Sequence, residues 1–398
     1  MPSPVTHLTP AQIDAFGAEL DELRARTVAD LGERDREHLE SVVRAQRVLE
    51  VAGRAMLTAG YLPPAWFGGT AALALAKVLD NMEIGHNVMH GQYDFLQDPA
   101  FDGASFDWDT VCPGDSWRRT HNVEHHTNTN IRGLDRDVGY GILRMTPEQP
   151  WSPKDLGNPV YALLLAILFE WGVMAHELEF EKLVAGEVGW DDKAEVWSEI
   201  KTKAAGQALK DYVLWPVVSG PAAPFTLAGN VVANLVRNVW AFTIIFCGHF
   251  PDGTHTYDPD EIDNERRGAW YLRQLLGAAN LTGSPVFHLL TGNLSYQIEH
   301  HLFPDLPSNR YEEIAPRVRA LFEKYDLNYC SRPMPQQVYS AWHKVVRLSL
   351  PNGWLATTDR SNVVDQVKLL WGMTTKGPKV RRAGNARLKQ MARKAAAA

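Results

Sequence analysis

The sequence predicts an all-α protein built from two apolar helical hairpins whose polar connecting blocks share one end. Three observations predict it. Apolar stretches of helical length come in pairs along the chain, while convincing strand patterns are few. An even number of such stretches returns every polar block to the same side. Seven of the 14 histidines fall into tight groups within those blocks, and His249 joins them as an eighth candidate.

The first 45 residues are charged, and Thr9-Pro10 reads as the start of two polar, amphipathic helices running to about Leu49. No basic patch precedes an apolar run there, so no signal peptide is expected. The first apolar pair is 48–59, interrupted by Arg54, and 65–79, which carries Lys77. The second pair is 160–175, with Glu170, and 222–232 joined to 239–246 across Arg237. Each stretch is near or below the roughly 17 residues that span hydrocarbon. Hydropathy alone therefore leaves two readings. One is buried helices of a soluble domain. The other is two membrane hairpins, about 46–61 with 66–84 and about 158–175 with 220–248, the last counted as two helices if 209–220 is included. In that reading Arg54 and Lys77 snorkel from segment ends.

Between these stretches, 81–159 reads as short helices and loops, and 176–210 as charged helix. The block 247–349 carries helix patterns at 264–276 and 310–325, with Ser308 and Asn309 as candidate caps. Three units follow: N-terminal helices at 1–45, a main domain at 46–349, and a flexible basic tail at 350–398. The tail has eight Lys or Arg from Lys376 onward and no acid.

Composition narrows function. A hydrophobic fraction of 45% and a charged fraction of 22% exclude wholesale disorder. A net charge of -7 argues against a nucleic-acid binder. Three cysteines, Cys112, Cys247 and Cys330, supply neither a disulfide scaffold nor an all-cysteine zinc site.

The histidines carry the chemistry. His86 and His90 are one helical turn apart, as are His121 and His125, with His126 about 100° around. Gln297 stands one turn before His300 and His301, and His249 follows the last apolar stretch. Adjacent imidazoles are costly as mere packing, because each ring needs polar partners. Eight are too many for one tetrahedral ion, so the set points to two metals. HExxH is absent, and the carboxylate-rich ExxH pattern of a ferritin-like bundle is incomplete. Iron suits a nitrogen-rich, O2-reactive site best. Glu83, Glu124, Glu299, Asp135 and Asp137 adjoin these groups as orienting or merely capping acids. Asn293 and Gln297 are candidates to hold a water, and Gln297 also to ligate directly. Arg118 and Arg119 are candidates for an anionic headgroup, with a solvated basic turn as the alternative.

In combination and order, HxxxH at His86/His90, HxxxHH at His121/His125/His126 and QxxHH at Gln297/His300/His301 resemble the histidine boxes of the membrane fatty acid desaturase family. The resemblance covers roughly residues 45–335. The stretches Asn81-Met82-Glu83-Ile84-Gly85-His86, Cys247-Gly248-His249-Phe250-Pro251 and His300-His301-Leu302-Phe303-Pro304 look most like the actinobacterial acyl-CoA desaturases of the mycobacterial stearoyl-CoA type.

The resemblance implies an integral membrane protein with four transmembrane helices, both termini cytosolic, and a cytosolic helical cap. That cap would hold two Fe(2+) ions, with His249 as the ligand outside the boxes. It implies a multi-pass protein of the cell membrane whose site faces the cytoplasm, and O2-dependent desaturation of a long-chain acyl-CoA. Carbon 9 of stearoyl-CoA is favoured. Gln297 also fits front-end desaturases acting at carbon 6 or 5, and the same boxes serve lipid hydroxylases. The chain has neither a GxGxxG fingerprint nor a four-cysteine cluster pattern. A separate NAD(P)H-dependent reductase of flavin and ferredoxin type is thus the implied electron source. Phe169, Trp171 and Trp240 are candidates to line an acyl tunnel.

Overall fold

The computed structural model describes residues 5–262, 265–353, 368–369, 371–375 and 377–396. Helix α1 (Pro10–Ala29) begins where the sequence predicts. Thr9 N donates to Gln12 Oε1 at 2.9 Å, and Gln12 N returns a bond to Thr9 Oγ1 at 3.3 Å. Helix α2 (Glu33–Leu57) packs along α3 (Pro63–Leu79), whose first turn is set by two prolines. Helices α4 (Asn158–Ile167) and α5 (Phe169–Glu177) precede the charged α6 (Ala194–Ala208). The long α7 (Ala223–His249) then packs against α3, α4 and α5.

Further helices include α8 (Arg267–Leu276), α9 (Gln297–Leu302), α10 (Tyr311–Lys324), α11 (Met334–Leu348) and α12 (Gly377–Ala396). Asn264, the expected start of α8, lies outside the described residues, as do residues 354–367 of the tail. Strands β1 (Asn280–Thr282) and β2 (Ser331–Pro333) form a two-stranded parallel sheet, with Asn280 opposite Ser331.

Among the described residues the fold is all-α apart from that ribbon, but it does not form four membrane-spanning helices. Among the described residues, one helix, Gly220–His249, is long and apolar enough to cross a membrane. Pro153–Ile167 and Phe169–Glu177 reach that length only together, and they bend by 101° at their junction. The expected four-span integral membrane architecture and the multi-pass cell-membrane location are corrected accordingly. The physical reason lies in the charges. Arg54 and Lys77 do not snorkel, being 3% and 5% exposed. They donate to the buried carboxylate of Asp211 at 2.7 and 2.8 Å. α2 and α3 are thus joined to the π-helical turn Leu209–Leu214 by internal ion pairs. Their outer faces, with those of α4 and α7, still carry exposed Phe67, Leu163, Leu164, Val231 and Leu235. Apolar surface of this kind marks a contact face when it is contiguous.

Two cores meet near the middle of the molecule. One gathers Ala162, Phe169, Phe242, Phe246 and Val345 from α4, α5, α7 and α11, together with Leu294. The other gathers Phe16, Leu20, Tyr271 and Phe322 from α1, α8 and α10, together with Ile298. The segment 294–302, which carries the third histidine group, therefore straddles both cores and is fixed by each.

Candidate metal centre

The first HxxxH pair straddles a widened turn, with His86 on it and His90 just beyond it, and the second lies wholly on another, rather than on the expected α-helix. α3 passes into a π-helical turn at Asp80–His86, and Arg118–His125 is a second. Such turns insert an i→i+5 bond and concentrate at functional sites. Nothing in the local composition announces them. The first is clamped by the loop at Gly292, where φ is +66° and a Cβ would sit 2.3 Å from the Met82 carbonyl oxygen. Only glycine admits that approach. Its carbonyl accepts from Asn87 Nδ2 at 3.2 Å.

All eight histidines named from the sequence converge. Ligand-capable atoms of His86, His90, His121 and His300 lie within 4.8 Å of one another, and so do those of His125, His249 and His301. His126 stands between the two sets. Its ring centre is 4.7 Å from His90, 4.9 Å from His300 and 4.6 Å from His301. Trp117 closes one side, stacked on His121 at 4.4 Å.

The donor chemistry fits metal ions. Buried Nε2 atoms of His90, His121, His125, His126 and His300 have no hydrogen-bond partner. Burial, reinforced by neighbouring rings, holds His90, His126, His300 and His301 well below the ordinary imidazole range, and brings His86 down to about 3. Neutral rings with inward lone pairs are the form that binds a cation.

The outer nitrogens are oriented by the fold. His300 Nδ1 donates to the Tyr311 hydroxyl at 3.2 Å, and that hydroxyl donates onward to the Phe303 carbonyl. His125 Nδ1 donates to both Asp135 carboxylate oxygens, at 3.0 and 3.1 Å. Burial alone would lower the pKa of His125; Asp135 and Asp137 outweigh it and push it up to about 9. Asp137 lies 3.6 Å from His121, 3.5 Å from His125 and 3.4 Å from His176. His86 Nδ1 donates to Asn87 Oδ1 at 3.2 Å. Asn87 also meets Glu83, which collects His38 at 2.7 Å, Ser308 at 2.6 Å and Asn293 at 3.1 Å. Asn293 thus binds a carboxylate rather than facing the histidines.

Gln297 Nε2 lies 3.1 Å from His249 Nε2, and its buried Oε1 is unpartnered. Glu299 is turned away, accepting from Asn280 at 2.8 Å and Tyr329 at 2.7 Å. Burial lifts its pKa to about 7. Glu124 is half-buried, and its side chain joins none of the hydrogen bonds of the histidine group among the described residues. Arg118 is committed to the Phe106 carbonyl and to Asp115, while Arg119 is exposed. Sequence reasoning missed Asn87 and Tyr311, and left His176, which stands alone at the end of an apolar stretch, out of the ligand set. Asn87 was findable, since it sits inside the first box; the other two meet the site only through the fold.

A narrow cavity leads from His86, His121 and Asp137 between Trp108, Trp117, Tyr140, Phe169, Val173 and Ile245. Phe169 lines it as expected. Trp171 is exposed, and Trp240 donates to the Leu290 carbonyl instead.

A fatty acid desaturase family model matches residues 62–333. The NADPH-dependent stearoyl-CoA 9-desaturase of Mycobacterium tuberculosis is 44% identical over 353 residues, covering 88% of this chain and 83% of that protein. The sn-1 linoleoyl-lipid 6-desaturase of Synechocystis sp. is 26% identical over 275 residues, 66% of this chain and 74% of the relative. The acyl-lipid (8-3)-desaturase of Rebecca salina is 28% identical over 285 residues, 71% and 63% respectively.

Proposed function

This chain belongs to the fatty acid desaturase family, and from that premise we propose that it inserts a cis double bond at carbon 9 of stearoyl-CoA. It is an O2-dependent acyl desaturase with a di-iron histidine site, drawing electrons from an NAD(P)H-linked supply. The observation that carries the substrate reading is the cavity: narrow, mainly apolar, and open to His86 and His121 at one end. Such a channel suits an extended alkyl chain and excludes water from the reacting carbons.

An unactivated methylene C–H needs an oxidant no side chain provides, and the two irons, when bound, supply it from O2. The protein's part is positioning. In our reading His86, His90, His121 and His300 would hold one ion, and His125, His249 and His301 the other, with His126 available to either set and Gln297 beside His249. Tyr311 and the Glu83–Asn87 pair keep the outer nitrogens of His300 and His86 protonated and their inner ones free, and Asp135 holds the outer proton of His125. Trp117 and Phe169 fix chain depth, and with it which carbons meet the centre. Arg119 is the freer of the two headgroup candidates for CoA phosphate. The electron donor in this reading is a separate flavin and ferredoxin-type reductase.

Fatty-acid methyl ester analysis with double-bond location, in a host with and without the chain, tests this. New oleate supports it; new double bonds at carbon 6 or 5 favour a front-end activity. Gln297 in the third box and the 6-desaturase relative are the observations behind that second reading.

A further inference from the structure

Three elements line the cavity in the same order. Along α5, Glu170 comes first, then Val173, then His176, which reaches Asp137 beside the histidines at 3.4 Å. Along α7, Arg237 and Asn238 come first, then Ile245, with His249 of the histidine group at the C-terminus. Along the first π turn, Asn81 and Met82 precede His86. The far end therefore lies at Glu170 and Arg237. By helical rise Glu170 is about 9 Å from His176, and Arg237 about 18 Å from His249.

That end is polar and fully committed. Arg237 Nη2 meets Glu170 Oε1 at 2.5 Å, with the two side chains 2% and 6% exposed. Gln207 Nε2 donates to Glu170 Oε2 at 3.0 Å, and Arg237 Nη1 donates to the Asp109 carbonyl at 3.1 Å. An alkyl tail offers no replacement for any of these bonds. A tail pushing past them would strand buried charges, which is far costlier than displacing apolar side chains.

We infer that the Glu170–Arg237 ion pair is the floor of the acyl cavity and sets the longest chain the enzyme accepts. The inference rests on the acyl-channel reading above. The limit is electrostatic: tails that stop short of the pair are accepted, and longer ones are refused. The double bond is still counted from the carboxyl end.

The test compares full-length wild type with the double variant Glu170→Leu/Arg237→Leu, which removes both charges together and leaves neither unpaired. Each is assayed on stearoyl-CoA and on the saturated acyl-CoA two carbons longer. The ratio of kcat/KM for the longer chain over stearoyl-CoA should rise roughly tenfold or more, with the double bond at an unchanged distance from the carboxyl. Val173→Phe, one turn above the floor, should move the preference the other way, toward shorter chains. It decides alone if the double variant does not fold. An unchanged chain-length profile in every folded variant overturns the inference while leaving the reaction intact. Wild type that desaturates no acyl-CoA overturns the reading beneath it, and the floor with it.

Discussion

His249 Nε2 and His301 Nε2 face each other at 3.3 Å between the end of α7 and α9. His301 Nδ1 is turned toward Gln274 Oε1 and Thr129 Oγ1, each at 3.3 Å, so its proton sits on the outer nitrogen and Nε2 presents a lone pair. His249 and His301 would hold a cation between these inward nitrogens once it is bound. Elemental analysis of active protein should find about two irons per chain. His125→Ala and His301→Ala should each lose at least one and fall in activity by more than the roughly 10–100-fold that loss of an outer partner costs. Wild-type iron content in either variant removes that residue from the proposed ligands.

Asn87 and Glu83 act on His86 as a relay of orientation rather than of charge. Glu83 is 1% exposed and holds Asn87, which meets His86 Nδ1. Glu83→Ala should lower iron affinity by about 10–100-fold while leaving helix content unchanged. Competition with a metal-indicator dye measures it. Asn87→Asp, which keeps an acceptor at Nδ1, should retain more affinity than Asn87→Ala.

The histidine groups were legible because adjacent imidazoles are costly as mere packing and eight rings exceed what one ion needs, although a single turn-spaced pair is common on surfaces. The acids beside them were not sortable by sequence. Glu83, Asp135 and Asp137 face the site, whereas Glu299 turns to Asn280 and Tyr329, and only tertiary packing distinguishes them. The helical pairing of α2 with α3 and of α4 with α7 could be read from the apolar pairs. The spans could not. Hydropathy counts Arg54 and Lys77 as interruptions to be snorkelled, whereas both are paired internally by Asp211, a residue far along the chain. The bend at Leu168 likewise has no proline to announce it.

Metal binding should depend on pH through His125. Its pKa is raised to about 9 by Asp135 and Asp137 against the effect of burial. Below that value the metal-free ring carries both protons, and a metal at Nε2 has to displace one. Apparent affinity should therefore climb as pH rises toward 9 and flatten above it, with proton release on metal uptake at pH 7. Titrating chelator-treated protein with Co(II) in weak buffer, with a pH indicator present, reads both. Asp135→Asn should shift the rise to lower pH; a flat profile for wild type would contradict the argument.

Asp211 is the most consequential single charge outside the metal centre. It is fully buried and accepts from Arg54, Lys77 and, at 3.1 Å, Asn234. Removing it leaves the buried Arg54 and Lys77 with only longer contacts to the partly exposed Glu50 at 3.6 Å and Asp109 at 3.7 Å, and breaking a buried pair in this way typically costs about 3–5 kcal/mol. Asp211→Ala should therefore unfold well below wild type in a thermal melt or fail to accumulate. Replacing all three charged partners together, Arg54→Met/Lys77→Met/Asp211→Leu, should restore most of the loss, because no unpaired charge remains. A triple variant as unstable as the single one would mean that the ion pairs themselves, and not the avoidance of stranded charge, hold α2 and α3 to the π turn.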